Sequence, residues 1–160
     1  MIKIRIITVG GLSENHWKAA CEEYRKRLGG SHAVTEICLK EAKLPSSPSP
    51  AQIKAALDAE GERILENIPP RSCVFAMCVE GRQYSSGELA ALFEKKLSSG
   101  ASELCVIVGS SYGLSEKVKA AANVRLSMSE LTFPHQLARV MLYETIYRCA
   151  EINKGTKYHK

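Results

Sequence analysis

Three stretches of the chain carry residues whose types and spacing could do chemistry. In LTFPHQLAR, His135 and Arg139 stand four apart, so a helix there turns both side chains to one face. An imidazole beside a guanidinium at a loop edge suits an anionic or heteroaromatic substrate, although a lone histidine at a helix start more often only satisfies a hydrogen bond. GSSYG, residues 109–113, matches G-x-S-x-G, the nucleophile elbow of serine hydrolases, with Glu130 and His135 following Ser111 in the order that mechanism needs. Those two partners are only five residues apart, whereas that fold takes them from separate loops of a longer chain. The same loop lacks the Lys-Ser/Thr of a phosphate-binding loop and the three spaced glycines of a dinucleotide motif. Its glycines either let a ligand approach the backbone or simply make a turn. At the end, KGTKYHK sets Tyr158 and His159 between Lys157 and Lys160, a cationic segment with two rings that can stack on a base, or else a frayed terminus.

Regular elements must position these residues. Residues 2–9 alternate and are rich in β-branched types, which predicts a strand ending at Gly10-Gly11. Ser13 is the expected cap of a helix through Trp17, Ala20, Cys21, Tyr24 and Leu28, stopped by Gly29-Gly30. A strand over 33–39 and an irregular loop, KLPSSPSP, lead to a helix with Ser49, Pro50 and Gln52 in capping-box positions. Apolar runs at 72–79 and 103–108 read as strands buried on both faces. Between them Ser85 and Glu88 open another capped helix, which ends at Gly100. A short helix near 115–122, a short strand at 124–126 and a final helix over 134–153 complete the chain. Alternating strands and helices predict one α/β domain over residues 1–160, a mainly parallel sheet with helices on both faces. Ligands of such sheets bind at the carboxyl ends of strands, here MCVEG, VGSSYG and SMSELTFPH.

Composition bounds the class without naming the chemistry. The 160 residues are 45% hydrophobic and 24% charged, which excludes a disordered chain. No signal peptide or membrane-spanning run is legible, so a cytoplasmic protein without a membrane partner is expected. Six cysteines without a C-x-x-C pair or a nearby histidine read as buried free thiols, with no metal. The net charge is +5, and beyond Pro134 five cations (Arg139, Arg148, Lys154, Lys157, Lys160) face two acids (Glu144, Glu151). That excess is either a solvated basic tail or a seat for a phosphate-rich partner.

The fragments IITVGGL, EYRKRL, EGERIL, VIVGSSYGL, LSMSELTFPHQLARVMLYETIYRCA and the terminal YHK span the chain. Together they resemble the ribosomal RNA large subunit methyltransferase H type of SPOUT-class methyltransferases, which methylate N3 of a pseudouridine in 23S rRNA. The resemblance implies a SPOUT domain with a C-terminal trefoil knot, a homodimer, and S-adenosyl-L-methionine as cofactor. Carried over by position, the cofactor site comprises Met77, Gly109, Met128, Ser129, Glu130, Leu131, Thr132 and Phe133. His135 and His159 of the partner subunit are then the candidate acceptors of the N3 proton, and Tyr158 stacks on or hydrogen-bonds the base. Arg139, Lys157 and Lys160 hold phosphates of an rRNA recognised within the ribosome. One departure stands out: Ser110 replaces the second of two adjacent glycines, and Tyr112 a smaller or polar residue. A positive φ at Ser110 would be strained and its side chain could narrow the site, so cofactor binding is expected to persist with affinity that this change can weaken. The rival readings are a serine hydrolase using Ser111 and a non-enzymatic ribosome-binding factor.

Overall fold

The β-branched and apolar runs form five strands, and the computed structural model, which describes residues 1–159, joins them in one sheet. The strands are β1 (Ile2–Val9), β2 (His32–Leu39), β3 (Cys73–Arg82), β4 (Leu104–Val108) and β5 (Val124–Leu126). The helices are α1 (Asn15–Leu28), α2 (Pro50–Glu66), α3 (Ser86–Ser98), α4 (Glu116–Ala121) and α5 (His135–Asn153). Every neighbouring pair is parallel, in the order β2-β1-β4-β3-β5. Lys160, and the phosphate contact expected of it, lie outside the described residues.

The period of two along each strand builds a layer on either face. In β4, whose five residues are all buried, Leu104, Val106 and Val108 pack among side chains of α1, α3 and α5, including Cys21, Phe93 and Ile146. Cys105 and Ile107 point the other way, to Ile64 of α2 and Val118 of α4. A strand buried on both faces cannot alternate polar and apolar residues, which is why this run is continuously apolar.

Local signals were obeyed where no distant partner competed. Both capping boxes form: Ser49 with Gln52 and Ser85 with Glu88 each exchange side-chain and backbone bonds. Ser13 does not cap α1. Glu14 stands at the cap without a side-chain bond, because Ser13 is engaged by Gln136 at the start of α5. The Ser13 N–H donates to Gln136 Oε1 at 2.8 Å, and Gln136 Nε2 donates to Ser13 Oγ at 2.9 Å. Strand β3 runs on to Arg82, past the expected end, because after a register irregularity Arg82 again pairs with Leu126. The thiols Cys21, Cys73, Cys105 and Cys149 are buried, but Cys38 is exposed and Cys78 half-buried. Cys38 lies near the end of β2, an edge strand, and stays exposed although its Sγ donates to the Gly10 carbonyl at 3.2 Å.

The sheet order creates a crevice. From β1 the chain passes through α1 outward to β2, whereas from β4 it passes through α4 to β5 at the opposite edge. Adjacent strands whose continuations diverge leave a gap above their carboxyl ends, and here those ends are Gly10 and Gly109.

Candidate active site

Three segments at the carboxyl edge of the sheet wall a cavity of about 510 Å³ beside that crevice, a volume typical of small-molecule sites. They are the end of β3, the turn at 109–113 and the loop at 127–134. The turn is tight. A Cβ at Gly109 would strike the Gly113 carbonyl, Gly113 has φ +92°, and its N–H donates to the Ser110 carbonyl at 2.9 Å. Ser110 is not strained, since the only non-glycine residue with positive φ among those described is Arg71. Its hydroxyl turns inward and donates to Glu60 Oε2 at 2.9 Å. The expected steric cost at Ser110 does not arise.

Met77, Gly109, Met128, Ser129, Leu131, Thr132 and Phe133 all line the cavity; Glu130 is exposed and does not. The loop before α5 is braced by its own serines. Ser127 Oγ donates to the Ser129 carbonyl at 3.0 Å, and the Leu131 N–H donates to Ser129 Oγ at 3.0 Å. An ion pair that no sequence motif announces, Lys119 with Glu80, stands on the wall; it raises the pKa of the ammonium and lowers that of the carboxyl. The large apolar side chains left exposed are Met1, Ile2, Val79, Tyr112 and Leu131, and the last three all line this cavity. Apolar exposure concentrated at a cavity marks a binding surface more than a random surface would.

His135 begins α5 at the edge of the crevice. Its Cε1 lies 3.9 Å from where a Cβ on Gly10 would stand, and its Nε2 is buried without a hydrogen-bond partner. Burial, then the positive charge of Arg139, push its pKa down; the Gly109 backbone and the Glu41 carboxylate act more weakly in the opposite sense. A neutral imidazole is in the form a general base needs, with the weaker basicity that a lowered pKa brings.

Arg139 faces inward from the same helix and is only 2% exposed. Its guanidinium donates to Thr8 Oγ1 and, at 2.9 Å, to the Gly10 carbonyl, and it pairs with Glu36 at 3.3 Å. The guanidinium from which a phosphate contact is expected thus lies inside the molecule with internal partners. Two more of the cations beyond Pro134 are also engaged, Arg148 with Glu144 and Lys154 with Glu151. Much of the apparent basic surface is thus neutralised within the chain.

The described tail residues, 157–159, do not line this cavity within one chain. Tyr158 packs edge-on against Tyr147, with centroids 4.8 Å apart, under the Arg148 guanidinium, and its hydroxyl donates to Glu144 at 3.3 Å. Lys157 and His159 are exposed beside it. The hydrolase geometry fails as well. A triad needs its histidine bonded to the nucleophile, yet His135 Nε2 has no partner and Glu130 faces solvent.

The family model described as "Predicted SPOUT methyltransferase" matches residues 2–159. The chain belongs to the SPOUT methyltransferase family. It is 44% identical to a protein named ribosomal RNA large subunit methyltransferase H of Streptococcus thermophilus (strain CNRZ 1066), covering 99% of this chain and 100% of that one. A protein of the same name from Bacillus pumilus (strain SAFR-032) is 43% identical over the same extent. Among solved structures, a probable methyltransferase from Bordetella pertussis Tohama I superposes with a TM-score of 0.57 at 15% identity, covering 92% of this chain and 96% of that one. A probable methylase family protein from Haemophilus influenzae Rd KW20 does so with 0.53 at 15% identity, covering 98% and 70%. At such identities these two speak for the fold alone. The SPOUT methyltransferase fold thus accounts for the parallel sheet. No helix among the described residues is long and apolar enough to cross a membrane, and no group of three or more His, Cys, Asp or Glu among them could hold a metal ion.

Proposed function

We propose that this chain is an S-adenosyl-L-methionine-dependent methyltransferase acting on N3 of a pseudouridine in 23S rRNA, within the assembled ribosome and in the cytoplasm. The observation that carries this reading is the cavity itself. In a chain that matches the family along residues 2–159, seven of the eight positions the resemblance assigns to the cofactor surround one cavity at the carboxyl ends of the strands.

The residues present fit that cofactor. Met77, Met128, Leu131 and Phe133 offer apolar walls to an adenine and a methionine-derived chain, and the turn at 109–113, which has no room for a Cβ at Gly109, lets a ligand lie against backbone. Bound there, S-adenosyl-L-methionine would supply an electrophilic methyl group. The protein's own contribution is then positioning, since an in-line displacement gains most from aligned reactants. His135 Nε2, buried, unpartnered and kept neutral, is suited to take the N3 proton.

The reading includes a homodimer. Tyr158 and His159 lie away from the cavity of their own chain, so their proposed roles beside the base require the tail of a second copy. Lys157 would then hold RNA phosphates. The proposal also includes a trefoil knot of the SPOUT type in the segment that contains β4, β5 and α5.

Thermal stabilisation by S-adenosyl-L-methionine or its demethylated product tests the reading, because a ligand that binds only the native state raises the melting temperature. A concentration-dependent rise is expected. Ribosome binding without any such rise would favour the non-enzymatic factor.

A further inference from the structure

Glu60 is the one buried carboxylate in the described core, 4% exposed on α2, and no ion pair among the described residues neutralises it. Burying a carboxylate is costly unless donors replace its water, and here two do. Oε1 accepts the Ala42 N–H at 2.8 Å and Oε2 accepts the Ser110 hydroxyl at 2.9 Å. Neither donor belongs to α2. Ala42 lies in the loop after β2, and Ser110 in the turn after β4.

Each donor is the chain neighbour of a residue that faces His135. Next to Ala42 is Glu41, whose Oε2 would be 3.5 Å from a Cβ on Gly10, where the His135 ring also lies. Next to Ser110 is Gly109, whose backbone acts on His135 and which lines the cavity. The helix is brought close by its next residue. A Cβ at Gly61 would collide with Ser115 Oγ, so α2 lies against the start of α4 only because that position is glycine.

We infer that Glu60 is a positioning residue for this site: one carboxylate, bonded to Ala42 and Ser110, fixes the two strand-end loops that flank His135 and sets the cofactor wall. The inference deepens the methyltransferase reading and rests on it for the ligand used below. It also gives Ser110 a purpose, since a glycine there would leave Glu60 Oε2 without its donor.

The variants are Glu60→Gln, Glu60→Leu, Ser110→Ala and the double Glu60→Leu/Ser110→Ala. Glutamine can keep both contacts, its oxygen accepting from Ala42 and its amide donating to Ser110 Oγ, so Glu60→Gln should bind S-adenosylhomocysteine as the parent does. Glu60→Leu and Ser110→Ala should each weaken binding about tenfold by calorimetry, the loss typical of a hydrogen bond to a charged group. The double variant should be no worse than Glu60→Leu, because Glu60→Leu already removes the contact that Ser110→Ala breaks. Hydrogen exchange on the unliganded protein gives a second readout: the Gly113 amide, two bonds removed from Glu60, should lose protection in Glu60→Leu and Ser110→Ala but not in Glu60→Gln. Lowered melting temperature with parental affinity and a protected Gly113 would overturn the inference and leave Glu60 a packing residue. Should Glu60→Leu fail to fold, Ser110→Ala decides alone. If the parent itself fails to bind S-adenosylhomocysteine, the functional reading falls, and the exchange of Gly113 still decides the role of Glu60.

Discussion

Arg139 and Glu36 form an ion pair inside the molecule, Nη2 to Oε1 at 3.3 Å, that ties α5 to the edge strand β2. The Tyr143 hydroxyl donates to the other carboxylate oxygen at 2.6 Å, and burial together with that carboxylate pushes the phenol pKa up. Arg139 is buried and Glu36 half-buried, so removing the guanidinium leaves Glu36 with only the Tyr143 hydroxyl and partial solvent as compensation. Arg139→Leu should therefore cost about 3 kcal/mol and Tyr143→Phe about 1 kcal/mol in urea denaturation. A phosphate-binding arginine would behave otherwise, losing RNA affinity with stability intact.

Stability should follow pH with a sign fixed by two histidines. His32 and His135 both have their pKa lowered, burial being the largest cause. Below an unfolded value of about 6.5 the unfolded chain binds more protons than the native one, so native stability falls as pH drops through that value toward the lower folded ones. Carboxyls with depressed values, such as Glu80 and Glu151, stabilise the native state at neutral pH and lose that contribution only at more acid pH. On the alkaline side Cys21 is pushed up to about 11, and Cys105 and Cys149 to about 12. Their stabilisation is complete below the ordinary thiol value of about 8.5 and is lost as pH rises above it. The urea midpoint should accordingly plateau between about pH 7 and pH 8. His32→Gln and His135→Gln should each flatten the acid limb; an unchanged acid slope in both would refute this origin.

How much of this was legible in the sequence depended on the range of the interaction. The capping boxes at Ser49 and Ser85 are local and were readable, as were the apolar runs of β3 and β4. The loops that form the cavity were legible because an alternating α/β pattern places them at strand ends. Illegible were the contacts that join distant positions: Ser13 with Gln136, Arg139 with Glu36, and Glu60 with Ser110, separated by 123, 103 and 50 residues. A spacing rule sees the face of a helix, and it predicted that His135 and Arg139 share one. It does not see which carboxylate waits opposite that face.

The terminal segment can be separated from the cofactor site. Deleting residues 157–160 removes the Tyr158 contacts with Tyr147 and Glu144, which lie on the surface of α5 away from the cavity. Methylation should be abolished while the affinity for S-adenosylhomocysteine stays near that of the full chain. Retained turnover would remove the tail from the site.

The turn at 109–113 offers opposite outcomes at adjacent residues. Gly109→Ala drives a Cβ into the Gly113 carbonyl, so cofactor binding should be lost and the protein destabilised by about 2 kcal/mol or more. Ser111 is exposed, and Ser111→Ala should leave folding and turnover close to the parent. Labelling of Ser111 by a fluorophosphonate would contradict the account and revive the hydrolase reading.

The most direct measurement is mass spectrometry of rRNA nucleosides after the purified protein is incubated with S-adenosyl-L-methionine and assembled ribosomes that lack the modification. The account predicts one new methyl group on N3 of a 23S rRNA pseudouridine, with little product on an isolated stem-loop. A methyl group on any other nucleoside, or none while the cofactor binds, would contradict it.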